Sequence, residues 1–316
     1  MPRDKERRTM RAKRPLTDEE TSQLNLEYQR MVDWLKETVR GKGFDNVVIG
    51  LSGGFDSSFI AYMACEALHP RFIHGVSMPC RLWGEDHFSW GESVHLAQEL
   101  AHKLDIRYDV QDISTIVSVF LHGREELACR PMRWPPMTGL RVGNIKARVR
   151  MTTLYDTAAA VNGLVLNTCN ASETFSGNET KFGDSAGDLS PLGNYLKTRL
   201  YDMALACGFA EKFHEIYSRV PTPELEDKPD HNDETNMGCT YPQMDKYLET
   251  TMLVPGVACE DIVLDEELRK KIKKKVESSS HKYTPMPTFS PRSWQTPAPK
   301  PPIDPSWWKD ESSDGD

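Results

Sequence analysis

The chain has 316 residues, 38% hydrophobic and 27% charged, enough for one large domain or two small ones. A net charge of −8 gives broad nucleic-acid binding no support, and no apolar stretch approaches the roughly 20 residues of a membrane span. Seven dispersed cysteines without a CxxC pair read as thiols in a reducing compartment, and the Arg-rich start lacks the apolar core of a secretory signal, so the cytoplasm is the expected location.

Residues 1–16 are expected to form a disordered basic tail. A helical pattern then runs from 17 to about 39, with Leu24, Tyr28, Met31 and Leu35 on one face and capping-box spacing between Thr17 and Glu20. Strands are predicted at 47–50, 72–77, 106–110 and 164–167, alternating with helices at 57–68, 92–104, 113–121 and 142–161. The Pro- and Arg-rich stretch 124–140 reads as irregular. Such alternation predicts an α/β fold of right-handed βαβ crossovers, with a parallel sheet flanked by helices. Further helices are expected at 196–207, 241–248 and 265–280, and the polar, acidic segment 224–236 reads as a mobile loop or lid. The main domain should span 17–282, and 283–316 reads as a Pro/Trp-rich, acidic tail.

The most informative string is Ser52-Gly53-Gly54-Phe55-Asp56-Ser57, between the first strand and the first helix. Glycines let backbone N–H groups converge on an anion, and a helix N-terminus adds partial positive charge. Asp56 would repel a phosphate unless a divalent cation sits between them, so the string implies a metal–nucleotide complex. There is no Gly-Lys-Ser/Thr ending of the kinase type. A rival reading takes Gly50-Leu51-Ser52-Gly53-Gly54 as a nucleophile elbow, with Ser52 the nucleophile of an α/β-hydrolase and His281 its base.

The loop resembles the SGGxDS loop of the N-type ATP pyrophosphatases, a group with the adenine nucleotide alpha hydrolase-like, Rossmann-like fold. Downstream strings are similar to those of NAD synthetases. They are Asn144-Ile145-Lys146-Ala147-Arg148-Val149-Arg150-Met151, Asn167-Thr168-Cys169-Asn170-Ala171-Ser172-Glu173 and Thr180-Lys181-Phe182-Gly183-Asp184. Asp188-Leu189-Ser190-Pro191-Leu192, Lys197, Pro221-Thr222-Pro223-Glu224-Leu225 and His281-Lys282 follow. The resemblance covers about residues 20–290.

That resemblance implies an ammonia-dependent NAD synthetase, which amidates deamido-NAD through an adenylate and releases AMP and pyrophosphate. It assigns ATP to Gly50, Leu51, Ser52, Gly53, Gly54, Phe55, Asp56, Ser57, Thr168, Lys197 and Thr222. Arg148, Lys181, Asp188, His281 and Lys282 would hold deamido-NAD. Asp56 and Glu173 would ligate Mg²⁺, Lys197 would act on the phosphates, and Asp184 would take the proton from ammonium. A homodimer is implied, and neither nucleic acid nor membrane is expected as a partner.

Longer members of the family carry an N-terminal glutaminase domain. Only about 45 residues precede the first strand here, none of them cysteine, so free ammonia is expected unless a separate glutaminase supplies it in trans.

Taken alone, Lys146, Arg148 and Arg150 read as the solvated face of a helix, and so do His95, Glu99 and His102. Cys169 reads as a small packing residue. Asn167, in place of a usual glycine, is expected to narrow the nucleotide approach, and Ser176-Gly177-Asn178-Glu179 replaces a more apolar stretch. Two further alternatives are another ATP-pyrophosphatase ligase acting on a different carboxylate, and a non-catalytic nucleotide-binding protein.

Overall fold

The computed structural model describes residues 15–81, 91–127, 138–219, 233–252 and 262–284. Its centre is a parallel sheet of four strands, β1 (Asn46–Gly50), β2 (Ile73–Ser77), β3 (Arg107–Val110) and β4 (Gly163–Leu166), in the order β3-β2-β1-β4. Val48 pairs with His74 on one side and with Val165 on the other, so β1 is central. Val47, Val48 and Ile49 are all fully buried, the pattern expected when both faces of a parallel sheet are covered.

The faces differ in what covers them. Val47 and Ile49 pack into a large core with α1 (Asp18–Gly41), α2 (Phe55–Ala67), α3 (Gly91–Leu104) and α7 (Lys197–Ala206). Val48 faces the other way, into a smaller cluster built with α4 (Ser114–Leu127) and α5 (Gly139–Val161). Each such buried Val or Ile contributes about 1.5–3 kcal/mol. A third cluster joins the short helix α6 (Ala171–Ser176) to α10 (Asp233–Met237), α11 (Tyr241–Met252) and α12 (Glu266–Tyr283). Among the described residues between α7 and α10 are two single-turn helices, α8 (Phe209–Lys212) and α9 (His214–Tyr217).

Local chemistry sets the boundaries. In α1 the Glu20 N–H donates to Thr17 Oγ1 at 3.2 Å, and the Thr17 N–H donates to Glu20 Oε2 at 2.8 Å. Helix α5 ends where Asn162 adopts a left-handed φ of 50°, which turns the chain directly into β4.

Three expectations need correction. Helix α2 starts at Phe55, two residues early, which places Asp56 in its first turn. The stretch 124–140 is not irregular throughout, because α4 runs to Leu127 and α5 begins at Gly139. The acidic stretch 224–236 ends in helix, with α10 starting at Asp233, while 224–232 lies outside the described residues. The tails expected at 1–16 and 283–316 fall almost wholly outside them.

Candidate active site

A cavity of about 730 Å³ opens at the carboxyl ends of β1 and β4, where ligands of open parallel sheets bind. Loop 52–57 forms one wall. Its hydroxyls close the turn: Ser52 Oγ lies 3.1 Å from Ser57 Oγ and accepts the Gly54 N–H at 3.2 Å, and Ser57 Oγ donates to the Gly54 carbonyl at 3.3 Å. Gly53 has φ +75°, and a Cβ there would collide with the Ser93 carbonyl, so only glycine fits. Gly54 caps α2 without a side-chain bond, which leaves the first helical N–H groups for an anion. Leu51 and Phe55 contribute backbone: Leu51 is buried, and the Phe55 ring stacks on Tyr201 at 4.1 Å.

Opposite the loop, three charges meet. Lys197 Nζ donates to Asp56 Oδ2 and, at 3.3 Å, to Glu173 Oε1. Lys197 is 1% exposed. Burial alone would push its pKa down, but Asp56 and Glu173 more than offset that and hold it well above the ordinary lysine value. Asn170 organises the carboxylates. Its Nδ2 donates to Asp56 Oδ1 at 3.1 Å, while its Oδ1 accepts the Glu173 N–H in a capping box. The Tyr241 hydroxyl donates to Glu173 at 3.4 Å.

A buried anchor supports this cluster. Asp245, fully enclosed, accepts from Ser172 Oγ at 2.5 Å and from the Thr198 N–H at 2.9 Å, and Ser172 Oγ also accepts the Lys197 N–H at 2.8 Å. Burial pushes the Asp245 carboxyl up to about 6, against the lowering effect of these bonds. One side chain thereby fixes the neighbours of both Glu173 and Lys197.

Asp56 and Glu173 are hard oxygen donors beside an anion loop, which suits Mg²⁺, an ion that takes one or two carboxylates together with phosphates and water. Among the described residues there is no group of three or more Asp, Glu, His or Cys side chains placed to hold a metal. His95 and Glu99 form an exposed pair, as expected of a solvated face.

Asp184 lines the cavity, and its carboxylate accepts the Thr180 N–H at 2.7 Å. Enclosure by protein raises its pKa, with the Thr180 bond lowering it in part. Glu179 lies nearby, 7% exposed, with burial raising its pKa and the bond from Thr174 Oγ1 lowering it. Thr168 also lines the cavity.

The remaining expected residues are more dispersed. Lys282 lines the cavity and pins its rim, donating at 2.6 Å to the carbonyls of both Gly177 and Glu179. Lys181 donates to the His281 carbonyl at 2.5 Å, and exposed Arg148 donates to the Lys181 carbonyl at 3.2 Å. Asp188 accepts the Val165 N–H at 2.8 Å and so braces β4. Arg148, Lys181, Asp188 and His281 do not contribute to the cavity wall, and Thr222 lies outside the described residues.

Lys146 is not on a solvated face: it is 7% exposed and lines the cavity. Arg150 is half-buried and donates to the Met78 carbonyl at 3.1 Å. Asn167 Nδ2 donates to the Asp184 carbonyl at 2.7 Å and to the Ala186 carbonyl at 3.2 Å, latching that segment to the end of β4. Cys169 is buried and its thiol pKa is raised well above the usual value by burial, so it is inert packing. Ser52 Oγ bonds to Ser57 and Gly54 and to no histidine among the described residues, which removes the support for the hydrolase reading. Asn170, Asp245 and Tyr241 were not singled out as site residues from sequence. Only Asn170 had a local signal, since Asn followed three residues later by Glu has capping-box spacing.

The comparisons agree with this geometry. The family model described as NAD synthase matches residues 27–286. An NH(3)-dependent NAD(+) synthetase of Helicobacter hepaticus is 31% identical over 265 residues, 83% of this chain and 91% of that protein. The NMN synthetase structure from Francisella tularensis superposes with a TM-score of 0.69 at 26% identity, covering 85% of this chain and 98% of that one. An NH3-dependent NAD synthetase from Campylobacter jejuni has a TM-score of 0.64 and covers 87% and 100%; at 24% identity it speaks to fold alone. With a parallel sheet, a glycine-rich anion loop at its carboxyl edge and a family match over most of its length, the chain belongs to the NAD synthase family.

Proposed function

We propose that this chain is an ammonia-dependent NAD synthetase, which joins ammonia to the nicotinate carboxyl of deamido-NAD at the expense of ATP, giving NAD, AMP and pyrophosphate. The observation that carries this reading is the meeting of the 52–57 loop with the Asp56–Lys197–Glu173 cluster in one cavity.

A carboxylate resists amidation because oxide is a poor leaving group. In the first step the substrate carboxylate oxygen bonds to the α-phosphorus, and the bond from that phosphorus to the β-phosphate oxygen breaks. Pyrophosphate leaves with the electron pair. The open N–H groups at the start of α2 receive it, and Ser52 and Ser57 hold the loop in shape. Asp56 and Glu173 would hold Mg²⁺, which when bound neutralises phosphate charge. Lys197, relieved of one carboxylate, donates to phosphate oxygens. In the second step ammonia displaces AMP from the adenylate. Asp184, on the cavity wall, holds ammonium and accepts its proton, and the burial that raises its pKa makes it the better proton acceptor.

Arg148, Lys181, Asp188, His281 and Lys282 are proposed to receive the dinucleotide acid, and Thr168 and Thr222 to contact ATP. The exposed apolar side chains Ile116, Val119 and Phe120 of α4 and Leu140 of α5 support a homodimer. No helix among the described residues is long and apolar enough to cross a membrane; the dispersed cysteines without a CxxC pair favour the cytoplasm. Ammonia is taken free or from a separate glutaminase.

The likeness to an NMN synthetase favours one second reading, in which the acid is a mononucleotide. Incubation with ATP, Mg²⁺, ammonium and either acid, followed by mass spectrometry, separates the two. Amide formed from deamido-NAD supports the proposal, amide formed only from the mononucleotide replaces it, and amide formed without ammonium contradicts both.

A further inference from the structure

Arg219, just after α9, is a cavity residue to which the family resemblance assigns no role. Its Nη2 donates to Ser93 Oγ at 2.9 Å, and the Glu92 carboxylate stands 3.8 Å away with a side chain 71% exposed. Its Nη1 is buried and has no acceptor among the described residues. A buried guanidinium nitrogen without a partner carries its full desolvation cost, so the position makes sense when something else supplies an acceptor.

The surroundings say what that acceptor is. Ser93, which holds the guanidinium, also presses its carbonyl against Gly53, so Arg219 is anchored at the back of the 52–57 loop. Two other cations of the cavity are already engaged by protein: Lys197 by Asp56 and Glu173, Lys282 by two carbonyls. The loop leaves the first N–H groups of α2 without a side-chain cap, as an anion site does, and a guanidinium presents its donors as a planar fork that matches phosphate oxygens. Glu92 is too distant and too well solvated to satisfy Nη1 instead.

We propose that Arg219 is a binding residue for the β- and γ-phosphates of ATP, and for the pyrophosphate they become. Its Nη1 donates to a phosphoryl oxygen held in the loop and takes up part of the charge released when the bond to the α-phosphorus breaks. The inference rests on the ligase reading given above and adds to it a cation that acts on the leaving group alone. AMP, which lacks those phosphates, does not touch Arg219.

The test is calorimetric titration of the full-length protein with inorganic pyrophosphate in the presence of Mg²⁺, and separately with AMP, for wild type, Arg219→Met and Arg219→Lys. Pyrophosphate affinity is expected to fall about 10- to 100-fold in Arg219→Met and to recover in part in Arg219→Lys, while AMP affinity stays within about twofold. Should Arg219→Met be poorly folded, Arg219→Lys carries the test, with a smaller loss confined to pyrophosphate. Unchanged pyrophosphate affinity, or an equal loss of AMP affinity, overturns the inference. Wild-type release of AMP and pyrophosphate during amidation, measured in parallel, tells the two claims apart. If wild type turns over and the variants bind pyrophosphate normally, this inference alone fails. If wild type neither binds pyrophosphate nor releases it from ATP, the ligase reading falls and takes this one with it.

Discussion

The two halves of the candidate site are built differently. On the nucleotide side, Asp56, Asn170, Glu173, Lys197 and Tyr241 touch one another, and their geometry is locked from beneath by the Asp245 bonds to Ser172 and Thr198. Outside the cavity wall, Arg148, Lys181 and His281, the residues proposed to receive the acid, form a chain of bonds, each side chain satisfied by a backbone carbonyl rather than by another functional group. Chemistry at phosphorus needs charges preorganised before substrate arrives. Holding a large dinucleotide needs only donors that can exchange a carbonyl for a ligand atom. We propose that the rigid half governs turnover and the carbonyl-bonded half governs affinity for the acid.

The sharpest way to break this contrast is Asp56→Asn, which keeps shape and removes charge. It should lower kcat about a thousandfold with little change in the far-UV spectrum, as stopped assays of pyrophosphate release would show. A loss confined to the KM for the acid would refute the division. Next, Lys282→Met frees the carbonyls of Gly177 and Glu179 and should raise the KM for deamido-NAD about tenfold, with the KM for ATP unchanged.

Asp245→Asn probes the anchor through pH. Burial raises the folded-state pKa of Asp245 to about 6 from the ordinary 3.8, so the folded state binds this proton more readily than the unfolded chain. Its stabilising contribution is present below the unfolded value and is lost as pH rises through about 6. Wild type should therefore lose about 2 kcal/mol from this group between pH 4 and pH 7, an order-of-magnitude figure from the linkage relation. Asp245→Asn should remove that part of the slope in thermal melts, and an identical slope in the variant would count against the assignment. The smallest effect belongs to Thr17→Ala, which removes the α1 cap far from either half. It should cost about 1 kcal/mol of stability in denaturant titration and leave both KM values alone.

Much of this was legible in the sequence. The alternation of strands and helices and the anion loop at the end of β1 with Asp56 follow from local pattern, whereas Glu173 and Lys197 were singled out only by the resemblance to NAD synthetases. What escaped was of two kinds. Short elements such as α6, α8 and α9 are too brief to show a helical period, and α2 began early because Gly54 caps it without a side-chain signal. Long-range partners carry no local mark either. Asp245 lies 73 residues from Ser172, and the burial of Lys146 depends on a cavity that no single helix face reveals. Arg219 was invisible for the same reason, since its meaning lies in Ser93 and Gly53.

The proposed reaction begins with attack by the substrate carboxylate at the α-phosphorus, within the cavity bounded by loop 52–57 and Lys197. Deamido-NAD labelled with ¹⁸O in its nicotinate carboxyl tests this directly. After one turnover with ATP, Mg²⁺ and ammonium, the label is expected in the phosphate of AMP, together with unlabelled pyrophosphate. Label found in inorganic phosphate, alongside ADP, would contradict it.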